Sequence, residues 1–253
     1  MKRAICAALF AALLLCACTP IDKGDGSSGT SSGVSSQGES GVGAAVDKTD
    51  KIITVPSEDD PNWALFLVNN YNQLPDDYVP QLSPVTKEQS FHHKAADDFK
   101  AMLADAQAAG FNLYVVCTYR TIEYQKNLLE NDIQKRIKEG LSSEEARQVA
   151  EFNIQKPGKS EHNTGLATDI VASWSWYEQN DYELTESFDQ TPEFAWLSQN
   201  AYKYGFILRY PKDKEAITEI TYEPWHYRYV GKEQAKLIKD SGLCLEEYMQ
   251  TQK

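Results

Sequence analysis

Two short segments carry side chains whose types could hold a metal ion and move a proton. His162 and Asp169 lie seven residues apart, and Glu223 and His226 lie three apart. Imidazole and carboxylate ligands suit zinc, and three protein ligands leave a fourth position open for water. A carboxylate such as Glu223 could then act as general base. By themselves, these residues fit either a hydrolytic zinc site or an unrelated loop histidine, strand-end carboxylates and packed aromatic cluster.

The elements around these residues must bring them together. Residues 157–164 are predicted to form a loop that delivers His162, and residues 165–171 a strand that contains Asp169. In a straight strand, residues three apart face opposite sides. Glu223 and His226 therefore converge only if the chain bends between them, and Pro224 is suited to interrupt strand pairing there.

The hydrophobic pattern predicts an α+β fold, a mainly antiparallel sheet flanked by helices, because helices come first and most strands follow. A capping box at Thr86 and Gln89 predicts the start of a long helix that Gly110 ends. Further helices are predicted at 62–70, 121–140, 143–155, 191–205 and 232–239, and strands at 112–117, 165–171, 206–208 and 217–222.

Two of the four histidines lie next to each other inside that predicted long helix. Adjacent helical positions point about 100° apart, so we do not expect His92 and His93 to share a metal ion. Cys117 and Cys244 both have apolar neighbours. They are predicted either to form one disulfide or to remain two buried thiols.

The N-terminal 17 residues resemble a bacterial lipoprotein signal peptide. Lys2 and Arg3 precede a short apolar run, and Ala17 precedes Cys18. The run is shorter than the ~20 apolar residues that a membrane-spanning helix needs. We expect export, cleavage before Cys18 and lipid attachment there, which would anchor the protein to the outer face of the cytoplasmic membrane. Ordinary signal cleavage with release of the protein is the alternative.

Composition separates a tether from a globular domain. Fourteen of the twenty residues at 24–43 are Gly or Ser, which predicts a flexible tether over residues 18–60 and a single domain over residues 61–253. The formal net charge of −12 argues against a nucleic-acid partner. A mean hydropathy of −0.52 with one apolar run excludes a polytopic membrane protein. We expect a monomer.

Four segments in order resemble the VanY-type D-alanyl-D-alanine carboxypeptidase family of zinc peptidases. The patterns SxHxxGxAxD and ExWH stand at residues 160–169 and 223–226. Upstream, residues 68–82 resemble the opening segment of the family, and TYRTxxxQ at 118–125 resembles its YR[ST]…Q segment. The resemblance covers residues 63–231 and includes the related L,D-carboxypeptidases.

This resemblance implies Zn²⁺ as the cofactor and peptidoglycan stem peptides as the substrate. It implies that His162, Asp169 and His226 are the zinc ligands and that Glu223 is the general base and acid. Arg120 would polarise the scissile carbonyl or hold the substrate carboxylate, two roles that stay open. Further substrate-binding residues are expected at Tyr119, Gln125, Ser160 and Trp225.

The implied reaction is removal of the terminal D-Ala from a stem peptide. An L,D-carboxypeptidase that shortens tetrapeptides is a nearly equal alternative, because the residues that distinguish the two specificities cannot be identified from the sequence. A peptidoglycan endopeptidase and a non-catalytic cell-wall binding lipoprotein are the remaining alternatives. Residues 173–190, rich in acidic and aromatic side chains, match nothing in the family pattern.

Overall fold

The computed structural model describes residues 47–252. The predicted signal peptide, Cys18 and the first part of the predicted tether lie outside the described residues. Within residues 47–252, no helix has the length and apolar character needed to cross a membrane.

The chain order mixes short strands with helices of four to seventeen residues. The strands are β1 Lys51–Ile52, β2 Asn72–Gln73, β3 Leu82–Pro84, β4 Ser90–His92, β5 Tyr114–Cys117, β6 Ala167–Val171, β7 Phe206–Tyr210 and β8 Glu223–Tyr229. The α-helices are α1 Ala96–Ala108, α2 Ile122–Lys138, α3 Ser143–Asn153, α4 Trp174–Gln179, α5 Pro192–Asn200, α6 Glu215–Thr218, α7 Lys232–Ser241 and α8 Leu245–Thr251.

The main sheet has four strands in the order β5-β6-β8-β7, and each neighbouring pair is antiparallel. Helices cover both of its faces: neighbouring residues of β7 point to opposite sides, and Phe206 packs with α1 while Ile207 packs with α7 and α8. The prediction of an α+β fold with a mainly antiparallel sheet is therefore confirmed.

The main core lies between the sheet and α1. Phe91, Phe99 and Phe206 form its aromatic centre, with ring centroids 4.9–5.7 Å apart, and all three are fully buried. Helices α2 and α3 share a smaller apolar cluster of their own. Ser142 caps α3 through a capping box, which satisfies two backbone donors at its start.

Residues of the predicted tether take part in this structure. Lys51 and Ile52 pair in parallel with Asn72 and Gln73. The folded part of the chain therefore begins before residue 61, where the sequence placed the start of the domain. Cys117 and Cys244 are both free thiols, and Cys244 is buried at the start of α8.

The predicted helix at 62–70 is absent from the described structure. Arg228 explains this difference, because its Nη2 donates to the carbonyl oxygens of Ala64 and Phe66 at 3.1 and 2.9 Å. The side chain of Asn69 accepts from the backbone N–H of Tyr71 and Asn72. Side-chain bonds thus replace the helical ones in this segment.

The predicted start of the long helix and the predicted strand at 217–222 are also wrong. Thr86 does accept the backbone N–H of Gln89 at 3.0 Å, but the next residues pair with β3 as strand β4. The long helix therefore begins only at Ala96, although Gly110 ends it with φ 92°. The predicted strand at 217–222 overlaps the short helix α6, which Glu219 ends in the left-handed conformation with φ 58°.

Gly205 is required by a close approach as well as by its backbone conformation. Its φ is 89°, and an added Cβ would lie 2.6 Å from Cε2 of Tyr229. Gly242 has φ 67° but nothing within 4 Å of an added Cβ, so it offers a matched control.

We expect Gly205→Ala to lower the free energy of unfolding more than Gly242→Ala does. The left-handed conformation costs both variants about 1–2 kcal/mol, and overpacking against Tyr229 adds about 1–3 kcal/mol at position 205 alone. Urea unfolding monitored by circular dichroism measures both values. Equal losses would show that the ring of Tyr229 can move away from an added Cβ at position 205 without cost.

Candidate active site

Three neighbouring strands place side chains in one row across the sheet. Asp169 of β6 pairs with His226 of β8 on one side and with Cys117 of β5 on the other. Residues opposite each other on neighbouring strands lie close together on one face. The sheet register therefore brings the carboxylate and the imidazole of the two sequence segments into contact.

His162 reaches the same point from a loop. It belongs to a 3₁₀ turn, Glu161–Thr164, which Gly165 ends with φ 72° before β6 begins. The backbone carbonyl of His162 accepts the N–H of Arg120 at 3.1 Å, and Asn163 donates to the carbonyl of Arg120 at 2.8 Å. These bonds fix the loop against the segment that follows β5.

Asp169 is the centre of the site. Its Oδ2 lies 3.2 Å from Nε2 of His162, and its Oδ1 lies 3.1 Å from Nδ1 of His226. The two imidazole rings are nearly perpendicular, at 88°, with centroids 5.0 Å apart. All three side chains are at most 5% exposed. The structure thus brings together the three predicted zinc ligands.

A β-bulge in β8 brings Glu223 and His226 to the same side, although residues three apart in a straight strand face opposite sides. Leu208 pairs with Tyr227, but the next pair along β7 and β8 is Tyr210 with Glu223, so β8 carries two extra residues there. The bulge bends the strand and re-aims its side chains. Glu223 Oε2 consequently lies 3.6 Å from Nδ1 of His226, on the same side as the other site residues.

The outward nitrogens of both histidines face acceptors. Nδ1 of His162 lies 2.6 Å from the carbonyl oxygen of Thr118. Nε2 of His226 lies 3.5 Å from Oε2 of Glu161, and neither of these buried atoms has a closer hydrogen-bond partner. Such outer contacts set the tautomer and the orientation of a ligating imidazole.

Glu161 belongs to a fully buried charge network with Arg209, Arg228 and Glu246. Its Oε1 accepts from Nε of Arg209 at 2.7 Å and from Nη1 of Arg228 at 2.9 Å. Glu246 of α8 binds the other two nitrogens of Arg209 at 2.8 and 2.6 Å. The two arginines outweigh the effect of burial and hold the pKa of Glu161 below its usual range.

Arg120 is held by three contacts along its guanidinium. Its Nε donates to Sγ of Cys117 at 3.1 Å, its Nη1 to Oε1 of Gln125 at 3.1 Å, and its Nη2 to Oδ2 of Asp169 at 3.4 Å. Gln125 is itself fixed because its Nε2 donates to the carbonyl oxygen of Gln155. The two terminal nitrogens each keep a further N–H for another acceptor.

Charge in the site favours a cation among these side chains. Burial and Arg120 oppose protonation of His162, but Asp169 and Cys117 outweigh them and raise its pKa to about 10. Burial is the main reason why the pKa of Glu223 rises to about 7. Glu223 is therefore poised to accept or donate a proton near neutral pH.

An open cleft of about 710 Å³ runs over the site. Eight of the nine predicted site residues within the described structure line it. They are Arg120, Gln125, Ser160, His162, Asp169, Glu223, Trp225 and His226.

Tyr119 is the predicted site residue that does not line the cleft. From residues 173–190, Leu184 lines it, whereas Trp174 and Tyr177 pack with Tyr114 and Tyr182 instead. Most of the aromatic side chains in that segment therefore serve local packing.

From the sequence alone we did not identify the buried charged residues that lie next to His226 on the side away from Asp169. Glu161 stands at a variable position of the SxHxxGxAxD pattern, so the pattern itself does not mark it. Arg209 is the one charged residue of β7, and Arg228 lies between two tyrosines in β8. Such a position is itself a signal, because a buried charge needs a partner.

The residues present fit zinc. One nitrogen of each imidazole lies within 3.2 Å of a carboxylate oxygen of Asp169, and buried Oδ1 of Asp169 has no hydrogen-bond partner of good geometry. Both histidines present one nitrogen to this point; the other nitrogen of His162 contacts the carbonyl oxygen of Thr118, and that of His226 faces the carboxylate of Glu161 at 3.5 Å. Such a set, with an adjacent carboxylate and an open cleft, defines a hydrolytic zinc site of the catalytic kind.

Comparisons with known proteins agree with that class. The family model for VanY, D-alanyl-D-alanine carboxypeptidase, matches residues 88–232. A D-alanyl-D-alanine carboxypeptidase from Enterococcus faecalis (strain ATCC 700802 / V583) is 35% identical over 216 residues, which cover 85% of this chain and 76% of that protein.

Two solved structures are similar over about three quarters of the chain. A mutant of the vancomycin resistance D,D-pentapeptidase VanY in complex with Zn(II) is 36% identical, with a TM-score of 0.62 over 74% of this chain and 99% of that one. The LdcB LD-carboxypeptidase is 37% identical, with a TM-score of 0.63 over 79% of this chain and 94% of that one.

The chain belongs to the VanY family of D-alanyl-D-alanine carboxypeptidases. It is a zinc metallo-carboxypeptidase, as the sequence resemblance predicted.

We expect Glu161→Gln to weaken zinc binding by about 10- to 100-fold, because the partner of His226 loses its charge. Glu246→Gln is the matched control, since Glu246 binds Arg209 but not His226. Both variants leave a buried arginine without full compensation and should lose about 3–5 kcal/mol of stability. Zinc affinity is measured by competition with a chelator at a temperature where both variants are folded. Equal affinities would show that Glu161 has no role beyond folding.

Proposed function

We propose that the protein removes the terminal D-Ala from peptidoglycan stem peptides, with His162, Asp169 and His226 as the zinc ligands. The observation that carries this proposal is the meeting of these three side chains with Glu223 and Arg120 at the floor of one cleft. A stem peptide that ends in D-Ala-D-Ala offers an amide bond next to a free carboxylate. The cleft is open enough to admit its upstream residues.

His162, Asp169 and His226 would hold the metal through Nε2, a carboxylate oxygen and Nδ1. Bound zinc supplies a Lewis acid and lowers the pKa of a water molecule that serves as nucleophile. The chain itself supplies the orientation of these ligands, through the carbonyl of Thr118 and the carboxylate of Glu161.

Glu223 performs the proton transfers. Its carboxylate lies beside His226 and lines the cleft, and burial raises its pKa to about 7, so that it can both accept and donate a proton near neutral pH. It accepts a proton from the attacking water and later donates one to the amine of the leaving alanine. Its partial exposure leaves it accessible to both groups.

Arg120 provides a fixed positive charge at the same place. Its contacts with Cys117, Gln125 and Asp169 hold the guanidinium plane, and its remaining N–H groups are free to bind an oxygen of the substrate. A planar cation with several donors suits either the developing oxyanion or the terminal carboxylate. Gln125 accepts a hydrogen bond from Arg120 and also lines the cleft, so it stays a predicted substrate-binding residue.

We expect Glu223→Gln to retain zinc and to lose turnover by at least about 100-fold, because the amide cannot accept the proton. Glu215→Gln is the control, since Glu215 lines the same cleft and its side chain forms no ion pair with a predicted site residue within the described structure. Release of alanine and metal content are measured on the same preparations. Turnover within a few-fold of the unaltered protein would rule out Glu223 as the base.

An L,D-carboxypeptidase activity is the second candidate, and the similarity to LdcB favours it. The substrate mixture decides between the two. We expect an equal mixture of stem pentapeptide and tetrapeptide to lose one alanine from the pentapeptide alone, measured by mass spectrometry over time. Loss from the tetrapeptide alone would assign the L,D specificity instead.

We further propose that the enzyme is a monomer held at the outer face of the cytoplasmic membrane by lipid on Cys18. The signal-like residues 1–17 and the Gly/Ser-rich segment support this placement. A tether that runs from Cys18 to the first paired residue, Lys51, has about thirty residues and reaches about 30 Å on average, which lets the domain work above the membrane surface.

We expect the mature N-terminus to be Cys18 carrying acyl chains, and Cys18→Ser to release the protein from the membrane fraction. Two or more acyl chains give durable anchoring, whereas one chain binds reversibly. Mass spectrometry of the N-terminal peptide tests this directly. An unmodified Cys18 would contradict the lipid anchor.

A further inference from the structure

A second group of metal-ligating side chains lies away from the active-site cleft. It consists of Glu58, His92 and His93, and we call it the Glu58–His92–His93 cluster. Oε2 of Glu58 lies 2.8 Å from Nε2 of His93, and Oε1 lies 3.4 Å from Nε2 of His92. One ligand atom from each of the three side chains lies within 4.8 Å of the other two.

The backbone makes this grouping possible. The sequence placed His92 and His93 in a helix, where their side chains would diverge. Instead, His92 is the last residue of β4 and His93 lies in the turn that follows. Their rings stack at 27° with centroids 5.1 Å apart, and both present Nε2 to the carboxylate of Glu58.

The surroundings hold the cluster in place. His92 is 3% exposed and packs against Trp63, with ring centroids 4.6 Å apart. The ammonium of Lys94 contacts the backbone carbonyl of Glu58 rather than its carboxylate. The carboxylate oxygens are therefore left to the two imidazoles.

We propose that the Glu58–His92–His93 cluster binds a second divalent transition metal ion, with zinc as the best match. Two imidazoles and one carboxylate are an established zinc ligand set, and imidazole also suits nickel and copper. The side chains of His93 and Glu58 are 33% and 39% exposed, and a cavity of about 230 Å³ adjoins Glu58 and His92. Water can therefore complete the coordination.

A metal ion here would brace the fold rather than take part in hydrolysis. Glu58 precedes the β3–β4 hairpin in the chain, whereas His92 ends β4 and His93 follows it, so the ion would join two parts of the chain. The backbone N–H of His92 donates to the carbonyl oxygen of Gly165 at 2.9 Å. The braced hairpin therefore supports the loop that carries His162, without sharing a side chain with the catalytic site.

The test is a zinc count on the purified full chain and three variants, by mass spectrometry of the metal after equilibrium dialysis at micromolar zinc. We expect two zinc ions per chain for the unaltered protein and for the control Asp59→Asn. We expect one ion for Glu58→Gln/His93→Gln, which should keep its carboxypeptidase turnover, and one for His162→Ala. The cluster affinity should fall about 100-fold or more in the double variant, beyond the 10- to 100-fold cost of outer contacts.

Zinc should also raise the melting temperature of His162→Ala, in which the cluster alone binds, and should not raise it when Glu58→Gln and His93→Gln are added to that variant. One ion in the unaltered protein and none in His162→Ala would overturn the proposal. Two ions in the double variant would place the second site elsewhere and overturn it equally. Both readouts are independent of turnover, so a failure of the proposed hydrolytic function would not be mistaken for a failure of the cluster.

Discussion

The contact between the buried carboxylate of Glu161 and the imidazole of His226 links the active site to the charge network beneath it. Glu161 binds both Arg209 and Arg228 and faces His226 at 3.5 Å. Burying a charge is expensive unless it is paired, so removal of one member of the network should cost about 3–5 kcal/mol of stability. The network sets the position of β7, β8 and α8 together, and with them the orientation of one proposed zinc ligand.

The rest of the site follows from sheet register. Asp169 stands opposite both Cys117 and His226, and register shifts on either side of it re-aim neighbouring side chains. A slip of one residue in such a sheet would turn each side chain to the other face. Placing metal ligands on strands therefore gives a more rigid site than loops would, while His162 alone relies on a glycine-ended turn.

The site residues that could be predicted from the sequence are those that lie within short local motifs. The motif residues from Arg120 to His226 were all identified, and the structure brings them to one cleft. The convergence of these residues could be predicted because the motifs contain the reacting groups themselves. Glu161, by contrast, is defined by distant partners, and no local pattern contains Arg209 or Arg228.

The errors in the predicted secondary structure also arise from contacts between residues that are distant in sequence. Thr86 and Gln89 make the local bond of a helix start, yet pairing of β4 with β3 decides the conformation that follows. Residues 62–70 have helical character in sequence, but Arg228 uses two of their carbonyl oxygens. Tertiary contacts overrode weak local preferences in both cases, and the convergence of His92 and His93 was missed for this reason.

Helix α8 has a consequence for the order in which the protein can fold. Glu246 near its start supplies the bidentate partner of Arg209, whose charge is otherwise buried with Glu161 alone. A growing chain that has not yet reached α8 therefore has one carboxylate, Glu161, shared between the two arginines Arg209 and Arg228. The charges between β7 and β8 are therefore fully paired only once α8 has been synthesised and has packed beside them.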